Sequence, residues 1–252
     1  MKAAIISDIH ANLESLNVFK NAFADKYNYD RIICLGDMID YNVSPNETIQ
    51  ITSELLHAYI ISGNHEEAFF NKDIGLFNYN AASVAKWTAK QLSAQSINML
   101  KQISRETQIY EQLFAVCHGE PGNTTIYIDS VYKTAETFKW LKKRGLNVLF
   151  NGHTHIPAVY EYNTKTGQKT KLIPADMRLN SDNLYIINPG SIGLPRGKNS
   201  MASFVEFDTE RLSVKFVRYD YPVMVSVNKI LKSSMPAKEL YASLLLKYSD
   251  IN

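Results

Sequence analysis

Three short apolar runs end alike, at an interval that leaves few folds open to the chain. Residues 3–7, 31–35 and 58–62 read as strands, followed by Asp8, Gly36-Asp37 and Gly63-Asn64. Apolar runs of this length without alternation fit strands buried on both faces. Asp8, Asp37 and Asn64 lie 29 and 27 residues apart, close to the length of one strand-helix-strand unit. Such crossovers are right-handed and set strands side by side, so the three polar positions are expected to converge along one sheet edge. In open α/β sheets that edge is where ligands bind.

The intervening segments agree. Asn12 is placed to cap a helix running to about residue 26, with Leu13, Leu16, Val18, Phe19, Ala22 and Phe23 on its apolar face. Ser44-Pro45 with Glu47 predicts a second helix to about residue 56, a cap followed by proline at the first helical position. Residues 71–103 are helix-like, and strands at 107–110 and 112–117 lead to His118-Gly119. A helix over 132–144 closes at Gly145, and a strand over 147–150 delivers Gly152-His153-Thr154-His155. Beyond Pro157 the pattern is a β-meander: a hairpin of 158–162 and 171–173, a strand over 184–187, and an alternating pair at 202–208 and 212–218. The segment at about 222–250 is expected to be helical, broken at 234–236, and to cover the second sheet.

A chain of 252 residues is long enough for a large core, and one domain over 1–252 is expected. The net charge of +2, with no window dominated by Lys or Arg, gives no electrostatic case for nucleic acid. No apolar run approaches the roughly 20 residues that cross a bilayer, and the N-terminal run is too short for a signal peptide. No membrane association and a cytoplasmic location are therefore expected. Cys34 and Cys117 sit in apolar runs without metal-type spacing and are expected to be reduced core residues.

Five of the six histidines, His10, His65, His118, His153 and His155, fall at strand-to-loop junctions beside Gly, Asp or Asn. His57 falls at a helix end and is assigned no function. Mixed imidazole and carboxylate donors suit Mn, Fe, Zn, Co or Ni. There are too many candidates for one ion, and two ions sharing a carboxylate fit the number, an arrangement suited to phosphoryl displacement.

The ordered series Asp8-x-His10, Gly36-Asp37, Gly63-Asn64-His65-Glu66, His118-Gly119 and Gly152-His153-Thr154-His155 resembles the calcineurin-like metallophosphoesterase superfamily. The turn Asn188-Pro189-Gly190-Ser191 with Gly193-Leu194-Pro195-Arg196 is similar to its small bacterial and archaeal phosphodiesterase branch, the YfcE-like proteins, and the resemblance runs to about residue 218. It implies an α/β fold, a four-layer α-β-β-α sandwich of two mixed sheets flanked by helices, with a dinuclear site at the strand ends. It further implies that Asp8, His10 and His155 hold one metal, Asn64, His118 and His153 the other, and that Asp37 bridges them. His65 would face the substrate and stabilise or protonate the departing alkoxide.

The implied cofactors are two divalent transition-metal ions, manganese first, with iron, zinc, nickel or cobalt compatible. The implied reaction is attack of a metal-activated hydroxide on a small phosphate mono- or diester, nucleotides among the candidates. Ala11 stands where the family commonly has glycine and is expected to narrow the pocket; Glu66 replaces an aspartate and is expected to orient His65. Arg196 reads equally as a contact to a substrate phosphate oxygen or as a surface arginine on a loop; Asn12 reads as a helix cap before a substrate contact, and Asp40 as a supporting or a solvated residue. The competing readings are a phosphoprotein phosphatase, a dinucleoside-polyphosphate hydrolase, and a non-enzymatic scaffold of the same fold, which would need none of these ligands. Homo-oligomerisation is left open.

Overall fold

The computed structural model describes residues 1–55, 58–104, 107–197 and 201–247. Strands β1 (Lys2–Ile6), β2 (Arg31–Cys34) and β3 (Ala58–Ile60) lie side by side and parallel, with Ile5 opposite Ile33 and Ile33 opposite Tyr59. The first crossover carries α1 (Leu13–Phe19), where Asn12 Oδ1 accepts the N–H of Ser15 at 3.2 Å as a cap, and the helix continues as a π-turn over Lys20–Ala24. The second carries α2 (Pro45–Glu54). Pro45 starts it as the sequence predicts, but the Ser44 side chain makes no capping bond.

The helix-like run 71–103 is not one helix. It divides into the end of α3 (Asn64–Asn71), then α4 (Tyr79–Gln91) and α5 (Ala94–Leu100). Lys72 ends α3 in the left-handed region at φ 54°. Asn78 and Ser93 then restart the helix by accepting the N–H groups of Ala81 and Ser96 at 3.0 and 3.1 Å. Side-chain acceptors at both breaks compete with helical continuity, which apolar periodicity alone does not register.

The second half supplies β4 (Gln108–Tyr110), β5 (Phe114–Val116), α6 (Ala135–Arg144), β6 (Val148–Phe150), β7 (Ala158–Tyr162) and β8 (Lys169–Leu172). It continues with β9 (Met177–Arg178), β10 (Leu184–Asn188), β11 (Ala202–Asp208) and β12 (Ser213–Tyr219), then α7 (Val223–Lys232) and α8 (Lys238–Lys247). One mixed sheet runs β3-β2-β1-β11-β12-β9 and the other β4-β5-β6-β10-β7-β8. Alternation along the strands builds the layers. Ala3 and Ile5 of β1 meet Val148 and Phe150 of β6 between the sheets. Ala4 and Ile6 face outward onto Leu16 and Phe19, while Leu149 faces outward onto Phe138 and Leu141 of α6. The result is the expected four-layer α-β-β-α sandwich.

The C-terminal pair departs from expectation. The outer face of the second sheet is taken by α6, so α7 and α8 pack instead with Val84 of α4 and with Leu194 through Val227, Ile230, Tyr241 and Leu245. Among the described residues no helix is long and apolar enough to cross a membrane.

Candidate metal centre and cleft

The ends of β1, β2, β3, β5 and β6 bring the predicted ligands together, on backbone that ordinary loops avoid. Asp8, His10, Asp37, His153 and His155 all have positive φ, between 45° and 68°. Each such L-residue costs about 1–2 kcal/mol, and neighbouring loops hold it in place. Asp8 N–H donates to Gly36 O at 3.1 Å, His10 N–H to Asp37 O at 2.9 Å, and Gly152 N–H to His118 O at 2.8 Å. Gly63 is required by close approach: a Cβ there would occupy the space of the Asp37 carboxylate.

The first cluster is Asp8, His10 and His155. His10 Nδ1–H donates to Ile39 O at 2.9 Å and His155 Nδ1–H to Leu194 O at 2.6 Å. Carbonyl oxygens only accept, so each neutral ring presents a lone pair at Nε2. Those two Nε2 atoms lie 3.1 Å apart, with Asp8 Oδ1 3.4 Å from that of His155. Two lone pairs and a carboxylate oxygen facing one another repel unless a cation lies among them. Burial, the largest influence, holds both imidazoles well below the usual histidine range, and it raises Asp8 to about 7.

The second cluster is Asp37, His118 and His153. His118 Nδ1–H donates to Leu35 O at 2.8 Å and His153 Nε2–H to Thr125 O at 3.1 Å. His118 Nε2 therefore meets His153 Nδ1 at 3.2 Å, Asn64 Oδ1 at 3.1 Å and Asp37 Oδ2 at 3.1 Å, acceptor against acceptor. Burial opposes charge on His118, but the Asp37 carboxylate more than offsets it and raises the imidazole to about 10, a measure of how strongly this position attracts positive charge. Asp37 Oδ2, buried and without a hydrogen-bond donor among the described residues, also lies 3.7 Å from His10 Nε2 and so stands between the clusters. The donor set fits divalent transition metals of the imidazole- and carboxylate-binding kind.

His65 sits beside both clusters. Its Nδ1–H donates to Asp40 Oδ2 at 2.6 Å, and its Nε2 is 3.9 Å from Asp37 Oδ2. Burial lowers its pKa, but Asp37 and the Asp40 hydrogen bond outweigh this and raise it above the ordinary histidine value. Asp40 is thus the residue that orients His65, and it is buried.

Glu66, expected in that role, instead accepts backbone N–H groups. Its Oε2 takes those of Asp37 and Gly63 at 2.8 and 2.9 Å, and its Oε1 those of Met38 and Ile39 at 2.7 and 3.3 Å. Sequence proximity to His65 misleads because the first turn of α3 turns the Glu66 side chain toward the loop after β2.

Beside the clusters lies a cleft of about 430 Å³ whose lining includes His65, Phe77, Tyr127, His153 and Arg196. Arg196 lines this cleft, its backbone N–H donating to His155 O at 3.1 Å. Asn12 does not: it is fully buried, caps α1 and donates to Gly193 O at 2.8 Å, away from the cleft. Ala11 does not narrow the cleft either, since it is buried with its N–H on Met38 O at 2.7 Å. The family's glycine suits this position because of backbone, as φ is 52°.

Phe77, whose ring is 4.6 Å from that of His65, and Tyr127, stacked on His153 at 3.8 Å, were not singled out by sequence. Phe77 was hidden in the supposed long helix, and its Phe-Asn pair before α4 was the available signal. His57 lies outside the described residues. Cys34 and Cys117 are free and buried, with their thiol pKa values pushed up by burial.

A calcineurin-like phosphoesterase superfamily domain matches residues 1–211. The uncharacterized protein MJ0912 of Methanocaldococcus jannaschii is 30% identical over 243 residues, covering 92% of this chain and 93% of the relative. A metallophosphoesterase from Sphaerobacter thermophilus superposes with a TM-score of 0.81 at 27% identity, covering 98% of this chain and 99% of that one. The hypothetical protein PH1004 from Pyrococcus horikoshii OT3 shares the fold, with a TM-score of 0.75 at 16% identity and 97% of each chain covered. Buried histidines and aspartates with their lone pairs turned inward are what a metal-dependent phosphoesterase needs, and the chain belongs to the calcineurin-like phosphoesterase superfamily.

Proposed function

We propose that the protein hydrolyses a small phosphate mono- or diester with two divalent transition-metal ions, manganese first among the candidates. The observation that carries this is the pair of acceptor-only clusters joined by Asp37. In this reading Asp8, His10 and His155 would hold one ion, Asn64, His118 and His153 the other, and Asp37 would be shared between them. When bound, the ions supply Lewis-acid charge at the phosphoryl group and make water nucleophilic near neutral pH.

The remaining work falls to the chain's own side chains. With Nδ1–H tied to Asp40, His65 has Nε2 as its free end, and the buried Asp40 carboxylate supports the imidazolium that donates the Nε2 proton to the departing oxygen. Arg196 offers a guanidinium to a phosphate oxygen. Phe77 and Tyr127 provide aromatic wall for the esterified group, a nucleoside among the fitting classes. Glu67 and Asp73 also line the cleft, while Arg196 is the lone permanent cation among its described lining residues. That balance favours one phosphate of low charge over a polyphosphate chain.

The test is turnover of the manganese-loaded protein on bis-p-nitrophenyl phosphate, cyclic nucleotides, diadenosine tetraphosphate and a phosphopeptide. Preference for the small esters is expected; a clear preference for the phosphopeptide or the tetraphosphate overturns the reading.

A further inference from the structure

We infer that the C-terminal helix pair is a positioning element for His65, acting through the stack of Tyr241 on Tyr41. The inference rests on the reading of His65 as proton donor. The family match ends at residue 211, so α7 and α8 lie beyond it.

Asp40 and Tyr41 occupy consecutive left-handed positions, φ 69° and 65°. Neither is glycine, and such backbone persists only where surroundings fix it. Asn42 fixes one side, donating from Nδ2 to His10 O at 2.8 Å and from its backbone N–H to Asp40 O at 2.8 Å. The other support is aromatic. The Tyr41 ring lies 4.5 Å from His10 and 4.7 Å from His65, and stacks on Tyr241 of α8 at 4.9 Å with 21° between planes. Tyr241, Tyr41 and His65 thus form a continuous line of packed rings, next to the Asp40 carboxylate that sets the His65 tautomer.

The helix pair is anchored away from the cleft. Ser226 Oγ of α7 donates to Asn12 Oδ1 at 3.1 Å or Glu14 Oε2 at 3.0 Å, and Lys229 pairs with Glu14 at the start of α1. The same helices pack on Leu194, whose carbonyl receives the Nδ1–H of His155. A fixed body therefore backs a strained loop that carries the His65 partner.

Three variants separate positioning from a general loss of packing: Tyr241→Leu removes the ring, Tyr241→Phe keeps it, and Leu141→Ala loosens α6, which packs in a different core cluster from Tyr41 and Tyr241. The first readout needs no turnover. In the zinc-loaded, diamagnetic protein, the downfield Nδ1–H resonance of His65, assigned by its loss in His65→Ala, is expected to broaden or vanish in Tyr241→Leu and persist in the other two.

The second readout is the leaving group. Tyr241→Leu is expected to lower kcat about 10-fold on an alkyl phosphate ester, which needs protonation, and less than about 2-fold on a p-nitrophenyl ester, which does not. Bound metal should be unchanged and Tyr241→Phe should match the parent. An unchanged resonance in Tyr241→Leu overturns the inference, as does an equal fall on both esters or an equal effect of Leu141→Ala. If the parent protein hydrolyses neither ester, the proposed function fails, and the resonance still decides the positioning.

Discussion

The Glu66 carboxylate accepts the backbone N–H of Asp37 at 2.8 Å. With the N–H groups of Gly63, Met38 and Ile39 it closes a four-donor clasp around the loop that presents Asp37. Burial, with the nearby Asp37 charge, raises the pKa of Glu66, and the backbone donors oppose that rise. Replacing Glu66 by Gln turns one oxygen into an NH₂ group facing N–H donors. With buried donors left unmatched, Glu66→Gln should lose about 2–3 kcal/mol of stability and about 4–12 °C in Tm. Thermal unfolding checks the loss, and a Tm within about 1 °C of the parent would contradict the clasp.

Asp37 belongs to the second cluster and comes within 3.7 Å of His10 in the first; with Asp37 as the proposed bridge, Asp37→Ala should bind fewer than two metals per chain. Elemental analysis of the purified variant decides it; two metals would count against the bridge. Chelation of the parent should lower Tm, because inward-facing lone pairs then lose their cation, and added Mn should restore it in a concentration-dependent way. A Tm indifferent to chelator and metal alike would argue that no ion binds there.

His65→Ala should retain its metals and lose about 100-fold or more in kcat, measured together with metal content. Asp40→Asn offers a pH test of the same proton. The donor works in its protonated form, so activity should fall as pH rises through the raised His65 pKa. Removing the Asp40 charge lowers that pKa, and the alkaline limb of the kcat profile should move to lower pH. A limb that stays put, or moves upward, would detach Asp40 from the proton donor.

Ala11→Gly tests whether that position matters through backbone or through volume. Relief of the left-handed φ of 52° is worth about 1–2 kcal/mol, and glycine's greater freedom when unfolded takes back about 0.4–1 kcal/mol. A net gain of about 0.5–1 kcal/mol should raise Tm by about 1–4 °C and leave KM unchanged, since Ala11 does not line the cleft. A large fall in KM would restore the expectation of a narrowed pocket.

Local chemistry along the chain carries the framework. Apolar runs and their spacing placed β1, β2 and β3 in parallel with Asp8, Asp37 and Asn64 at one edge, and Asn12 and Gly145 marked helix ends by their own backbone chemistry. The histidines were legible because each follows a strand, and strand direction fixes where its end lies. Tertiary structure alone decided the partners. Asp40 against His65, Glu66 on the loop after β2, and Tyr241 on Tyr41 join residues whose separation along the chain follows no period. The long-helix reading failed at residues 72–78 because caps compete with periodicity, and the C-terminal helices went elsewhere because α6 already covered the second sheet. Periodicity reports which face a residue shows; what meets that face is set by packing between distant segments.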